Sequence, residues 1–248
     1  MKNEETHPVW QGFYSGTRAT GGEWKWKIPL PDSCIVRYGS LCFQVRPTNS
    51  KHLGIFPEQT KNWDWIQEIA KAAKPFREPP RVLNLFGYTG GATLAAAAAG
   101  CTVTHLDAAR AMVSWCSENA RLSELGDAPI RYIVDDSLSF LQREIRRGNR
   151  YDAIIMDPPS FGRSKGGGLW KLPDHLPFLI DSAQEALSET PLFLLLNTYS
   201  EALDDLAEAM ITKRFDRLGG SLKLVELGLT GTLDQQWLPC GQAYRWTA

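Results

Sequence analysis

Five consecutive residues beyond the middle of the chain have types that could do chemistry: Asp157-Pro158-Pro159-Ser160-Phe161. Two prolines fix a non-helical path and remove two amide donors, leaving their carbonyls free to point into a pocket. Asp157 adds an acceptor and Phe161 an aromatic face. The group suits a planar amine, whose N–H groups would meet carboxylate and carbonyl oxygens while its ring lies on the phenyl face. A second cluster stands upstream, in Asn84-Leu85-Phe86-Gly87-Tyr88-Thr89-Gly90-Gly91. Its glycines let the backbone turn sharply and come close to a ligand. The G-x-x-G-G spacing is not the G-x-G-x-x-G of a dinucleotide pyrophosphate site, which argues against a dehydrogenase. Asp107, twenty positions after Gly87 and followed by Ala108, can accept both hydroxyls of a ribose or cap the next helix. Asp136 and the Ser137 amide stand where an adenine edge would be read, again with a helix cap as the alternative.

These groups meet only if each lies just past the carboxyl end of a strand in one sheet. The hydrophobic pattern supplies such a frame. Short apolar runs at 82–86, 102–106, 130–134, 153–156 and 192–196 predict strands, and 92–99, 109–122, 138–146 and 176–187 predict the helices between them. Strand-helix repetition argues for a parallel sheet covered on both faces. Further strands at 222–227 and 243–246, with a helix at 203–215, bring the sheet to seven strands. Residues 1–50 differ: Glu23-Trp24-Lys25-Trp26-Lys27 alternates as a strand does, and 34–37 and 41–46 read as a hairpin about Tyr38-Gly39-Ser40. We therefore expect a small antiparallel β appendage over 1–50 and one α/β domain over 51–248. A helix at 62–73 links them, stopped by Pro75 and the Pro79-Pro80 pair.

A net charge of −1 over 248 residues does not make the chain a general binder of polyanions. Its five cysteines are scattered without a C-x-x-C pair, which argues for reduced thiols over zinc or disulfides, and four scattered histidines give no metal spacing. Met1–Pro8 lacks the apolar core of a signal sequence, and Thr93–Cys101 is too short to cross a bilayer; a soluble, cytoplasmic protein is expected. Arg143, Arg146, Arg147 and Arg150 read as a solvated helix end. Residues 162–168, rich in glycine with two cations, could close over an anionic substrate or be plain linker. Trp24, Trp26, Trp63 and Trp65 read as packing residues, with base stacking as the alternative.

Taken together, Asn84–Gly91, Asp107, Asp136 and Asp157-Pro-Pro-Ser-Phe resemble the Rossmann-like S-adenosylmethionine-dependent methyltransferases. More narrowly they look like the bacterial family of large-subunit ribosomal RNA cytosine-5 and guanine methyltransferases, over residues 52–248. His52-Leu53-Gly54-Ile55-Phe56-Pro57-Glu58-Gln59 resembles that family's Gly-x-Phe/Tyr-Leu-Asp-Gln-Arg segment, with Pro57-Glu58 for Leu-Asp and Thr60 for Arg. The resemblance implies S-adenosylmethionine as cofactor, with Phe56 and Gln59 over it. The loop from Phe86 through Gly87, Tyr88, Thr89, Gly90 and Gly91 would lie along its methionine and ribose, Asp107 would hold the ribose, and Asp136 the adenine amine. Asp157, Pro158, Pro159 and Phe161 would stand at the acceptor.

Cytosine carbon-5 methylation needs an attacking cysteine, which in that family follows the fifth strand. Here Leu196-Asn197-Thr198-Tyr199-Ser200 holds none, and Cys240 reads as a structural thiol. Transfer to a base nitrogen of ribosomal RNA is the favoured reading. A small-molecule or protein acceptor, or a cofactor-binding scaffold without turnover, are the alternatives; no separate RNA-binding domain is recognisable in residues 1–50.

Overall fold

In a parallel sheet covered on both faces, strands lose their hydrophobic alternation and become continuous apolar runs. Ala153-Ile154-Ile155-Met156 and Phe193-Leu194-Leu195-Leu196 are of that kind, and all eight residues are buried. The computed structural model describes residues 12–17, 21–27, 31–49, 51–73, 78–163, 169–231 and 234–248. Among these residues the chain runs β1 (Gly12–Thr17), β2 (Gly21–Trp26), β3 (Cys34–Tyr38), β4 (Leu41–Val45), α1 (Thr60–Ala73), β5 (Arg81–Leu85), α2 (Gly91–Ala98), β6 (Thr102–Asp107) and α3 (Arg110–Leu122). It continues through β7 (Ile130–Val134), α4 (Ser137–Arg146), β8 (Ala153–Met156), β9 (Phe161–Arg163), β10 (Leu169–Lys171), α5 (Leu172–Ala186), β11 (Phe193–Thr198), α6 (Asp204–Phe215), β12 (Ser221–Thr230) and β13 (Trp237–Thr247).

The seven-stranded sheet has the order β12-β13-β11-β8-β5-β6-β7. β5 pairs in parallel with β6 on one side and with β8 on the other, so strand order reverses between β5 and β8. Ligands of open α/β sheets bind at the carboxyl edge of such a reversal. Alternate residues of a strand face opposite ways. Leu83, Leu85, Ile154 and Met156 accordingly join the core on one face, with α4, α5 and α6. Val82, Ala153 and Ile155 join the core on the other, with α1 and α2.

The expected seven strands are all present, with shifted ends. β11 runs on through Asn197 and Thr198, and α5 begins at Leu172 instead of 176. Pro173 falls in the first turn of α5, where no amide donor is needed. The short pair β9–β10 was not expected. It brackets residues 164–168, so most of the expected glycine-rich closing segment lies outside the described residues. In the arginine cluster Arg143 pairs with Asp135 and Arg147 donates to Glu144 at 3.3 Å, while Arg146 and Arg147 are exposed at the end of α4. Trp63 is buried and stacks on Phe43, with ring centroids 5.1 Å apart. No helix among the described residues is long and apolar enough to cross a membrane.

The N-terminal β segment forms two separate two-stranded sheets, β1-β2 and β3-β4, instead of one. The second is sewn to the α/β body. Leu41 and Phe43 lie in its core, and Ser123 Oγ accepts the Cys42 N–H and donates to the Cys42 carbonyl. The fully buried Asn119 of α3 accepts the Gln44 N–H at 2.8 Å and donates to the Thr89 carbonyl at 2.9 Å. One side chain therefore joins the hairpin to the glycine loop. Asn119→Ala leaves a half-buried N–H and a buried carbonyl without this partner, and should cost about 2–4 kcal/mol in urea unfolding. Glu118→Ala, one position along the same helix, should change stability by less than about 0.5 kcal/mol.

Candidate active site

The loop after β5 has to bend out of the sheet and return into α2. It does so through two non-glycine residues in the left-handed region, Phe86 (φ 57°) and Tyr88 (φ 49°), on either side of Gly87. Such residues hold local strain that the surrounding structure must over-determine. Asp107, at the end of β6, supplies part of that determination: its carboxylate accepts the Tyr88 N–H at 2.9 Å and the Ala109 N–H at 2.8 Å. It is therefore a tie between two loops, and the cap residue of α3 is Ala109. Burial raises its pKa, opposed by those two amide bonds. A carboxylate offers about four lone-pair sites, so two remain for a pair of ligand hydroxyls.

Glycine is required in this loop chiefly by the protein itself. Gly90 has φ 98°, and a Cβ there would stand 2.3 Å from the Cys116 sulfur. A Cβ on Gly87 would stand 2.5 Å from the ring of His105, a neutral imidazole whose pKa burial drives down to about 4. Asn84 Nδ2 donates to Thr93 Oγ1, which bonds His105 Nδ1 at 2.9 Å, so Asn84 holds α2 to the sheet. Thr89 Oγ1 donates to the Gly54 carbonyl at 2.7 Å and fixes the 52–59 segment over the loop. There Phe56 meets the Tyr88 ring with centroids 5.1 Å apart.

At the end of β8, burial pushes Asp157 up to about 6. Tyr199 Oη donates to its Oδ1 at 2.8 Å and accepts from Gln59 Nε2 at 3.0 Å. Pro158 is buried and Pro159 exposed. Only part of the expected acceptor group is free: the Pro159 carbonyl takes the Trp170 indole N–H at 2.7 Å, since β10 folds back over the prolines. Phe161 lies on β9, half exposed at 50%.

One cleft brings together Phe56, Gln59, Asn84, Phe86, Gly87, Tyr88, Thr89, Gly91 and Asp157. Asn197 lines it too, a residue that sequence reasoning passed over, as it did Tyr199. The signal was there: both directly follow the apolar run of β11, the position already used for β5, β6, β7 and β8. Gly90, Asp107, Ala108, Asp136, Ser137, Pro158, Pro159 and Phe161 do not line this cleft. Asp136 caps α4, accepting the Ser139 N–H at 2.9 Å, and Ser137 is the first residue of that helix. Among the described residues the buried Tyr88 hydroxyl has no acceptor for its proton, the backbone of Gly54 being its polar neighbour. No group of three or more His, Cys, Asp or Glu among the described residues could hold a metal.

Residues 3–171 match the family described as S-adenosylmethionine-dependent methyltransferase. The chain belongs to that family. The methyltransferase superposes on the SAM-dependent methyltransferase of Agrobacterium tumefaciens with a TM-score of 0.88 and 38% identity, over 96% of this chain and 77% of that one. The ribosomal RNA large subunit methyltransferase K/L of Colwellia psychrerythraea is 31% identical over 187 residues, which is 71% of this chain and 25% of that protein. The ribosomal RNA large subunit methyltransferase K of Neisseria meningitidis is 35% identical over 134 residues, 51% of this chain and 36% of that protein. The methyltransferase thus spans about a third or less of these curated relatives. S-adenosylmethionine is its cofactor, and the residues fit it: an orphaned hydroxyl on a residue of the cleft and a carboxylate with two open sites at the neighbouring strand end.

The raised pKa of Asp157 fixes the sign of a stability effect. The folded state holds this proton more tightly than the unfolded chain, so stability is lost as pH rises from about 4 to about 6. Asp157→Asn escapes that loss. Its melting temperature should match the wild type near pH 4 and exceed it at pH 8, by the equivalent of about 2–3 kcal/mol.

Proposed function

We propose that the methyltransferase transfers a methyl group to a nucleobase nitrogen of RNA, with ribosomal RNA as the leading substrate. The observation that carries this reading is Asp157: a carboxylate at the cleft, held by Tyr199 and poised near neutrality, suits an amine N–H. The named relatives are large-subunit ribosomal RNA methyltransferases, and the likeness covers 51% and 71% of this chain. Carbon-5 chemistry is disfavoured further by Cys240, whose thiol burial and the nearby Glu58 hold above its usual pKa, away from a nucleophilic thiolate.

In this reading Asp107 takes the ribose hydroxyls, Asp136 and Ser137 the adenine edge, and the Phe86–Gly91 loop with Phe56 lines the methionine. The Tyr88 hydroxyl is the donor left over for the cofactor. Bound S-adenosylmethionine supplies a methyl on a sulfonium, already a good leaving group. The protein's part is to desolvate the acceptor and hold it in line, with Asp157, the Pro158 carbonyl and Phe161 around the amine. In the same reading residues 1–50 are a β appendage and 51–248 the methyltransferase domain. The site of action is the cytoplasm. Near-neutral charge favours a second reading, a small-molecule or protein acceptor.

Tritium transfer from labelled S-adenosylmethionine to ribosomal RNA from a strain lacking this gene decides between them. Incorporation should fall at least about 100-fold in Asp157→Ala, while cofactor affinity by calorimetry changes less than about threefold. Asp107→Ala should instead weaken cofactor binding by about 30-fold or more. Unchanged binding in Asp107→Ala would remove the site assignment. Intact binding without incorporation into RNA would move the acceptor to a small molecule or protein.

A further inference from the structure

The hydrogen bonds around Asp157 continue away from the cleft in a chain whose donors can all be identified. Arg245, on β13 and nearly buried, donates from Nε to Asn62 Oδ1 at 2.9 Å and from a terminal nitrogen to the Lys61 carbonyl at 2.8 Å. A guanidinium has donors only, so the Asn62 oxygen must face it and the Asn62 nitrogen must face away. That nitrogen donates to Gln59 Oε1 at 2.7 Å and to Asn197 Oδ1 at 3.0 Å. Asn197 Nδ2 also donates to Gln59 Oε1, at 3.2 Å. With its oxygen receiving two donors, Gln59 can present only its nitrogen to Tyr199 Oη. The tyrosine hydroxyl, accepting there, gives its own proton to Asp157 Oδ1.

We propose that Arg245 sets the direction of this chain and so holds Asp157 as a hydrogen-bond acceptor, a positioning role exerted through Asn62, Gln59 and Tyr199. A reversed chain through Gln59 is excluded by donor count. A protonated Asp157 donating to Tyr199, with Tyr199 passing its own proton on to Gln59, would turn the Gln59 amide round. The Gln59 nitrogen would then face the nitrogens of Asn62 and Asn197, three donors with no acceptor among them. Asn62, Asn197 and Gln59 are all buried, so bulk water does not relieve that conflict. The groups facing Asp157 act in two senses. Burial and the charge of Glu58, in the turn before α1, favour the protonated carboxyl; the bonds from Tyr199 and Asn197 favour the ionised one. The chain keeps the second pair in place.

The proposal rests on the reading of Asp157 as the acceptor-side carboxylate, and its test separates the two. In the full chain carrying 13C-carboxyl aspartate, the Asp157 resonance is assigned by its loss in Asp157→Asn and titrated by NMR. Tyr199→Phe should raise its pKa by about one unit, a tenfold change in proton affinity. Arg245→Leu should raise it by about half a unit, and Arg245→Lys, which keeps a donor, should restore the wild-type titration. In the Tyr199→Phe background Arg245→Leu should add nothing, because the chain is already cut. An equal shift in both backgrounds means that Arg245 acts through space as a charge, and overturns the proposal. So does an Asp157 titration indifferent to Tyr199→Phe. Should Arg245→Leu fail to fold, Asn62→Leu takes its place in the same cycle. The acid limb of kcat/KM then reports on the underlying reading. A limb that follows the NMR titration supports Asp157 at the acceptor; one that stays fixed while the NMR pKa moves leaves the chain standing and removes the catalytic role.

Discussion

Asp107 accepts the amides of Tyr88 and Ala109, and through those two bonds the loop leaving β5 is tied to the turn entering α3. Parallel strands deliver their loops to one edge, where backbone amides have run out of ladder partners. A site at that edge has to satisfy those groups and still present unspent donors and acceptors to a ligand. A carboxylate meets both demands, because two of its lone-pair sites can serve the backbone while two remain. An amide side chain at the same place would have one oxygen for four partners. The strained conformations of Phe86 and Tyr88 persist because this tie, with His105 beneath Gly87 and Cys116 beneath Gly90, leaves the loop no other path.

The same loop is held from above by segments outside the alternating α/β pattern. Thr89 is bonded through its hydroxyl to Gly54 and through its carbonyl to Asn119, which also carries the β4 hairpin. The glycine loop is thus clamped between the sheet and residues 41–56. The N-terminal β-structure has two physical roles on this account. Its second hairpin completes the core and a wall of the cleft, where Phe43 stands. Its first hairpin is attached mainly through side-chain bonds of Tyr14 and Trp24 to the 48–49 turn.

The sheet was readable because continuous apolar runs of four to six residues between amphipathic helices leave little choice of architecture. Asp157, which lines the cleft, was marked in the sequence because a carboxylate is an unusual residue type at the end of an apolar strand. What escaped were residues that become functional only through partners distant in sequence. Tyr199 and Asn197 look like an ordinary strand exit until Gln59, 140 positions away from Tyr199, is brought against them. Arg245 lies in a terminal strand, where an arginine ordinarily means solvent, yet it is buried against Asn62 across 183 positions. The β9–β10 ribbon escaped for a different reason. Three-residue strands carry no period, and its consequence, the capture of the Pro159 carbonyl by Trp170, follows from tertiary folding alone. Glycines were read as openings for a ligand, whereas Gly87 and Gly90 yield space to the protein's own side chains.

Burying Asp157 works against the acceptor role proposed for it, whereas the bonds from its neighbours favour that role. Burial alone would leave a protonated acid that donates to an incoming amine's lone pair and so blocks it from the methyl. Tyr199 and Asn197, oriented from Arg245 onward, restore the acceptor form without supplying a cation. A nearby lysine or arginine would do the same more strongly, but it would depress the carboxylate far below neutrality and leave it a poor place for a proton. With neutral donors the carboxylate stays near 6, ionised at physiological pH, and in the proposed reaction it can receive the proton that an amine loses on gaining a carbon. Neutral amides with a remote guanidinium to orient them therefore give a directional acceptor of moderate basicity, which a direct ion pair cannot.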